Sequence, residues 1–326
     1  MQPPEFWSRN TWSAQLISSA LTPIGYFHGA SVAWKHRRRK PYRARAKVVC
    51  IGNLTAGGSG KTPVAIAIAQ MLQAKGIAVA FLSRGYGRRS SGAIRVDTHE
   101  HGADVVGDEA LLLARIAPTV VAGDRAEGAR LAERCGAEII VMDDGHQNFS
   151  IAKDLSLVVV DGDGGFGNGR VIPAGPLREP VQQGLERADA AIVSGNGTPS
   201  LSGFARPILR ARLASDQRLD GQTLIAFAGI GRPDKFFATL RVQGAELLET
   251  RAFADHHVYS VAEIATLKDH ARESGARLIT TEKDYVRLNA DDRSNIDTLP
   301  VRAVFDDPAA IERLLAPMFE KSVVGP

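Results

Sequence analysis

At 326 residues, 44% hydrophobic and 23% charged, the chain can bury a substantial core and is long enough for two domains, which excludes a disordered polypeptide. Its two cysteines, Cys50 and Cys135, form no CxxC pair, so a disulfide framework and a cysteine-based metal centre are excluded and a reducing, cytoplasmic compartment fits best. The formal net charge is only +4, but eight Lys/Arg fall between Lys35 and Lys47, so the placement of charge matters more than its total.

Ahead of that basic run, residues 10–34 carry no Asp, Glu, Lys or Arg. Roughly half of them are Ser, Thr, Gly, Asn, Gln, Pro or His, too polar for a span that needs about 20 mostly apolar residues. A signal peptide is excluded because the positive charge follows the apolar stretch. Trp12, Leu16, Ile17, Ala20, Leu21 and Ile24 recur at helical spacing, with Ser13, Gln15, Ser18, Ser19 and Thr22 on other faces. Phe6, Trp7, Tyr26, Phe27 and Trp34 flank this stripe. Two readings stay open. Either the helix packs on the protein's own core and the basic run is a solvated loop, or the helix lies on a membrane surface. In the second case the basic run meets anionic head groups at about 1 kcal/mol per nearby Lys/Arg. A nucleic-acid-binding arm is a third reading, but no recognition motif accompanies the charge.

From Lys47 onward, apolar β-rich runs alternate with helical periodicity, the pattern of an α/β fold with a mostly parallel sheet flanked by helices. Strands are expected at 48–53, 78–83, 119–122, 138–143, 155–161 and 190–194, and helices at 63–74, 109–116 and 125–135. The runs Ile139-Ile140-Val141-Met142 and Leu157-Val158-Val159-Val160 are apolar on both faces, as buried parallel strands are. Gly195-Asn196-Gly197-Thr198-Pro199 reads as a loop. A second α/β pattern starts near Gln222, with strands at 224–228 and 277–281 and helices at 233–242, 261–274 and about 309–315. The expected organisation is thus an N-terminal amphipathic segment with its basic run (1–46), a P-loop domain (47–221) and a smaller α/β domain (222–326).

The strongest local signal runs from Val48 to Pro63: an apolar strand, the turn Thr55-Ala56-Gly57-Gly58-Ser59-Gly60, then Lys61-Thr62 opening a helix. Glycines let backbone N–H groups wrap a phosphate, and the helix start offers its positive end to the same anion. In this pattern Lys61 holds the β/γ-phosphates of ATP and the Thr62 hydroxyl ligates Mg²⁺. Pro63 loses no helical hydrogen bond so close to the helix start. The common motif has glycine five residues before Gly60, where this chain has Thr55. Asp143 and Asp144 end an apolar strand, and at the carboxyl edge of a parallel sheet they would stand beside the P-loop as Mg²⁺ ligands, direct or through water. A strand ending in Asp because a turn begins is the plainer alternative.

Further motifs resemble the tetraacyldisaccharide 4′-kinase family over nearly the whole chain. They are Gly52-Asn53-Leu54-Thr55 with Gly57–Pro63, Ser83-Arg84-Gly85-Tyr86-Gly87-Arg88, Gly107-Asp108-Glu109, Asp143-Asp144-Gly145-His146-Gln147-Asn148, Pro173-Ala174-Gly175-Pro176-Leu177-Arg178-Glu179 and Asp255-His256-His257. Thr55 belongs to that family's version of the loop. The resemblance implies transfer of the ATP γ-phosphate to the 4′-hydroxyl of a membrane-held tetraacyldisaccharide 1-phosphate, giving lipid IVA in lipid A biosynthesis. It implies a peripheral or monotopic place on the cytoplasmic face of the bacterial inner membrane, an anionic membrane surface as partner, and neither nucleic acid nor an obligate protein partner. It also implies a dyad in which Asp108 takes the sugar hydroxyl proton and His256 orients it, one residue from each domain. Unaided, Asp108-Glu109 reads as an acidic helix start and His256 as a surface histidine. Glu109 joins the candidate metal ligands. Arg125 and Arg178 are candidate phosphate clamps, since a guanidinium can grip two oxygens. Tyr86, Gln147 and Asn148 are substrate candidates, although the family's histidine after the glutamine is Asn148 here and His146 takes the variable position. Thr281-Glu282-Lys283-Asp284 resembles a family feature and is equally a plain salt bridge after a strand. A guanine-binding switch would need an Asn-Lys-x-Asp segment and a metallochaperone would need Cys/His clusters; the chain has neither.

Overall fold

The computed structural model describes residues 4–7, 11–38 and 40–319. Eight strands follow one another into the larger sheet: β1 (Lys47–Gly52), β2 (Val79–Ser83), β3 (Ile94–Arg95), β4 (Thr119–Val121), β5 (Ile139–Asp143), β6 (Leu155–Asp161), β7 (Ala190–Ser194) and β8 (Ile208–Ala214). Four more, β9 (Thr223–Ala228), β10 (Glu246–Ala252), β11 (Arg277–Thr281) and β12 (Ile296–Leu299), form a second sheet ordered β10-β9-β11-β12 and parallel throughout. The last, β13 (Arg302–Phe305), returns to the larger sheet antiparallel to β8, giving the order β13-β8-β7-β6-β1-β5-β2-β4-β3.

The helices are α1 (Trp12–Arg38), α2 (Lys61–Ala74), α3 (Ala103–Val106), α4 (Asp108–Ala114), α5 (Arg125–Arg134), α6 (Val181–Glu186), α7 (Pro233–Val242), α8 (Val261–Ser274), α9 (Glu282–Tyr285) and α10 (Pro308–Phe319). Strand β1 shows why both faces of the larger sheet are covered. Its side chains alternate, so Val49 and Ile51 join Ile68 and Leu72 of α2 and Ile311 of α10 on one face. Val48 and Cys50 join Ala129 and Ala132 of α5 on the other. Central position between β5 and β6, parallel to both, holds the carboxyl end of β1 at the middle of the sheet edge.

Two sequence expectations need correction. The smaller unit does not run to the end of the chain: residues 223–299 are an insertion, after which Ala303 and Phe305 of β13 and Leu315 of α10 bury themselves in the larger core. A four-residue strand with only two inward apolar side chains leaves too short a pattern to read. The insertion thus hangs from two neighbouring antiparallel strands, β8 and β13.

The second correction concerns α1, which is helical as expected but turned the other way. Ala14, Ser18, Gly25 and Gly29 are its buried positions. They lie on one face at 100° per residue, opposite Trp12, Leu16, Ile24, Phe27 and Trp34, which are all exposed. Close approach explains the choice. A Cβ on Gly25 would stand 2.6 Å from the Val171 carbonyl oxygen, and one on Gly29 would press on Pro180. The Ser18 hydroxyl donates to the Ala174 carbonyl at 2.8 Å. The expected basic loop continues the helix to Arg38; Arg39 and the side chain of Lys35 lie outside the described residues. Among the described residues no helix is long and apolar enough to cross a membrane.

Candidate active site at the carboxyl edge of the larger sheet

Between β1 and α2 the backbone turns through Gly57 at φ 110° and Gly60 at φ 82°, left-handed conformations that favour glycine. Gly60 is the N-cap of α2 and no side chain caps that helix, so the N–H groups of its first turn remain for an anion. Asn53 braces the loop from inside, its Nδ2 donating to the Thr55 carbonyl at 2.7 Å and to Ser59 Oγ at 3.0 Å. The Pro173–Glu179 motif braces it from outside: Ala56 N donates to the Pro176 carbonyl at 2.7 Å and Arg178 N to the Leu54 carbonyl at 2.8 Å. The same segment receives α1 through Ser18. One strand-like wall therefore joins the N-terminal helix to the phosphate loop.

The adjacent acids at the end of β5 differ in partners. Thr62 Oγ1 donates to Asp143 Oδ2 at 2.9 Å, while Asp143 Oδ1 is buried with no hydrogen-bond partner. Burial, then the charge of Glu109, pushes the Asp143 carboxyl above the ordinary range. Asp144, at φ 54°, turns back to Arg178 Nη1 at 2.7 Å and Lys61 Nζ at 3.8 Å. Burial would raise it, but Lys61 and Arg178 outweigh burial and hold it at about 2. An orphaned buried carboxylate oxygen beside a threonine hydroxyl fits a cation that brings most of its own ligands. No cluster of three His, Cys, Asp or Glu that could hold a metal exists among the described residues. That is the donor set suited to Mg²⁺, which keeps waters and substrate phosphates around one or two protein oxygens.

The insertion reaches the same edge. Asp108, the first residue of α4 and only 5% exposed, meets His256 across 148 residues of chain: His256 Nδ1 lies 3.0 Å from Asp108 Oδ2. Both are held by unusual backbone. Gly107 has φ 89°, where a Cβ would stand 2.9 Å from the Tyr86 carbonyl oxygen, and His256 itself has φ 59°. Burial raises the Asp108 carboxyl, but His256, Lys283 and Arg287 outweigh it and keep it well below the usual range. The Tyr86 ring is exposed and lies 5.3 Å from the His256 ring. Lys283 Nζ pairs with Glu109 at 3.2 Å, so the Thr281–Asp284 segment makes a salt bridge between the two sheets rather than within one. A second ionic junction sits on β6, where Arg232 and Lys235 lie 2.5 Å and 3.1 Å from Asp161. Gly231 comes close enough that a Cβ there would be 3.5 Å from Gly58 N in the phosphate loop.

Other candidates take quieter positions. Arg125 is buried at 2% exposure and donates Nη1 to the Ala122 carbonyl; burial lowers it to about 10. Gln147 links Asn53 and Glu179, its Nε2 at 2.9 Å from each. The Asn148 amide oxygen is taken locally by Ser150. His146 is fully buried between Ser156 Oγ (3.2 Å) and the Gly184 carbonyl (2.8 Å), a structural histidine. Arg287, Arg232 and Lys235 had no motif to mark them. Arg287 follows Asp284 by three residues, the spacing of a local ion pair, and only the fold turns it toward Asp108.

Comparison with known proteins gives a consistent result. The family model described as tetraacyldisaccharide-1-P 4′-kinase matches residues 17–319. Tetraacyldisaccharide 4′-kinases of Rhodospirillum rubrum and Rhodospirillum centenum are 49% and 48% identical, covering 97% and 98% of this chain and 97% of each relative. The crystal structure of LpxK from Aquifex aeolicus in complex with ATP superposes with a TM-score of 0.76 at 27% identity, over 93% of this chain and 99% of that one.

Proposed function

The chain belongs to the tetraacyldisaccharide-1-P 4′-kinase family, and we infer from that membership that it transfers the γ-phosphate of ATP to the 4′-hydroxyl of a tetraacyldisaccharide 1-phosphate, forming lipid IVA for lipid A. The observation that carries the reading is the cross-sheet Asp108–His256 pair standing at the edge that also holds Lys61, Thr62 and Asp143.

Phosphoryl transfer passes through a loose transition state, so alignment and charge neutralisation do most of the work. The first turn of α2 and Lys61 hold the β/γ-phosphates; Asp144 keeps Lys61 and Arg178 turned inward until substrate charge replaces it. Thr62 and Asp143 would hold Mg²⁺, which when bound neutralises phosphate charge. Asp108 accepts the hydrogen bond of the 4′-hydroxyl. A carboxylate held so far down is a weak base; its contribution is orientation, with the proton moving to it late, as the new O–P bond forms and the ADP oxygen departs. Tyr86 beside His256 offers a face to the sugar ring. Arg125 and Arg178 supply positive charge around the transferring group, and Glu109 restrains Lys283 nearby.

The enzyme works peripherally at the inner membrane. The exposed apolar face of α1 supports this, because it is backed by a docked face and followed by Arg37, Arg38 and Lys40. Labelled ATP and tetraacyldisaccharide 1-phosphate in detergent test the reading: wild type forms a phosphorylated lipid, Lys61→Ala loses about 10²-fold or more, and Asp108→Ala is strongly impaired. A folded wild type that yields no phosphorylated lipid would overturn the substrate assignment.

A further inference from the structure

Arg287 is 6% exposed on its side chain, yet it belongs to none of the motifs and touches neither the phosphate loop nor the acids of β5. One edge of its guanidinium faces the larger sheet: Nε donates to Asp108 Oδ2 at 2.7 Å, and Nη2 lies 2.5 Å from the same oxygen. The other edge faces the insertion: Nη1 donates to the Gly229 carbonyl at 2.7 Å and to Asp284 Oδ1 at 2.8 Å.

Gly229 decides what this bridge does. Its carbonyl also accepts from the backbone N of His256 at 3.1 Å, so the peptide that Arg287 grips is the one that holds His256 in its left-handed conformation. Its N–H donates to Asp284 Oδ1 at 3.0 Å, and Tyr259 OH donates to the same oxygen at 2.8 Å. Asp284 is fully buried, so the platform under Arg287 is rigid. His256 Nδ1 and Arg287 Nε therefore meet at one oxygen, Asp108 Oδ2, from two points fixed to one peptide. Lys283 cannot replace this arrangement: its Nζ is 4.0 Å from Asp108 and is taken by Glu109 at 3.2 Å.

We propose that Arg287 is a positioning residue for phosphoryl transfer, a planar fork that sets the Asp108–His256 distance by gripping Asp108 on one side and the Gly229 peptide on the other. The proposal rests on the kinase reading above for its activity readout. Planarity is the requirement. A lysine carries the charge but, as a single point donor, cannot span both partners. Because Arg287 acts through Asp108 and His256, its loss lowers kcat and leaves the KM values for ATP and lipid within about threefold.

The test compares wild type, Arg287→Gln, Arg287→Lys, Asp108→Ala and the Asp108→Ala/Arg287→Gln double variant, with kcat and KM measured separately. Arg287→Gln is expected to lose about 10²-fold in kcat, and Arg287→Lys to recover only a minor part of it. The double variant is expected to be no slower than Asp108→Ala alone, since residues acting as a unit are not additive. Multiplying losses would instead mark Arg287 as structural and overturn the proposal, as would full kcat in Arg287→Lys. If Arg287→Gln does not fold, Arg287→Lys and its double with Asp108→Ala carry the same comparison. Nitrogen NMR of the histidine rings separates this proposal from the kinase reading. Whether or not wild type phosphorylates the lipid, Arg287→Lys must shift the His256 resonance toward its position in Asp108→Ala. An unmoved resonance sinks the proposal on its own.

Discussion

Replacing Leu16, Ile17, Ile24 and Phe27 together by glutamine should detach the protein from membranes without unfolding it. These side chains are 51%, 47%, 56% and 75% exposed on α1. Full burial of such a side chain is worth about 1.5–3 kcal/mol, so the exposed fractions represent about 1 kcal/mol for each aliphatic and about 2 for Phe27, roughly 5 in all. Burial at a head-group boundary reaches only part of that area; half of it, about 2.5 kcal/mol, corresponds to a drop of nearly 10²-fold in membrane partition. The fold loses little, because surface changes usually stay within about 0.5 kcal/mol and glutamine is a good helix former. Flotation with phosphatidylethanolamine/phosphatidylglycerol vesicles gives the partition, and thermal unfolding gives the stability. Unchanged flotation refutes the membrane reading of this face. A large fall in Tm would show instead that the face is covered within the protein. Gly25→Leu is the converse change: its side chain meets the Val171 carbonyl, and it should destabilise the docking of α1.

Three more outcomes follow from the site. His146 is kept neutral in the folded state, its value lowered to about 3 chiefly by burial, whereas the unfolded chain binds that proton below about 6.5. Its stabilising share is whole above about pH 6.5 and falls as pH drops toward 3, by about 1.4 kcal/mol between pH 7.5 and 5.5. Urea unfolding of wild type and His146→Gln at both pH values should show that difference in slope, and parallel curves would reject it. Gly52→Ala places a Cβ 2.5 Å from His146 Cβ and 2.9 Å from its backbone N, which should cost about 1–3 kcal/mol and weaken ATP binding through the adjoining loop. An unaltered denaturation midpoint contradicts that packing. Thr62→Val removes the hydroxyl that donates to Asp143 Oδ2, so half-saturation with Mg²⁺ at fixed ATP should rise about 10–100-fold. A curve superimposable on wild type would exclude Thr62 from the cation site.

What could be read in the chain was whatever local order carries. The phosphate loop is contiguous from Thr55 to Thr62, so its strand, turn and helix start are written side by side. Strands β5 and β6 announce themselves as unbroken apolar runs because both faces of a central parallel strand are buried. Helices α7 and α8 match their expected spans because one face repeats every 3.6 residues; α8 also carries a capping box from Ser260 to Glu263 and a left-handed Gly275 at its end. Strand β8 offered no such signal, since at the junction of sheet and insertion it is buried only at alternate or scattered positions.

The rest was decided by packing at a distance. Periodicity marks the two faces of α1 but not which faces inward; the Val171–Pro180 backbone demands small residues at contact, so Ala14, Ser18, Gly25 and Gly29 dock and the large apolar side chains are left outside. Asp108 and His256, 148 residues apart, become a pair only when the insertion folds back over the sheet edge. Arg287, 179 residues from Asp108, has no local pattern at all; a side chain whose partners lie on two sheets is specified by their meeting, which no window along the sequence contains.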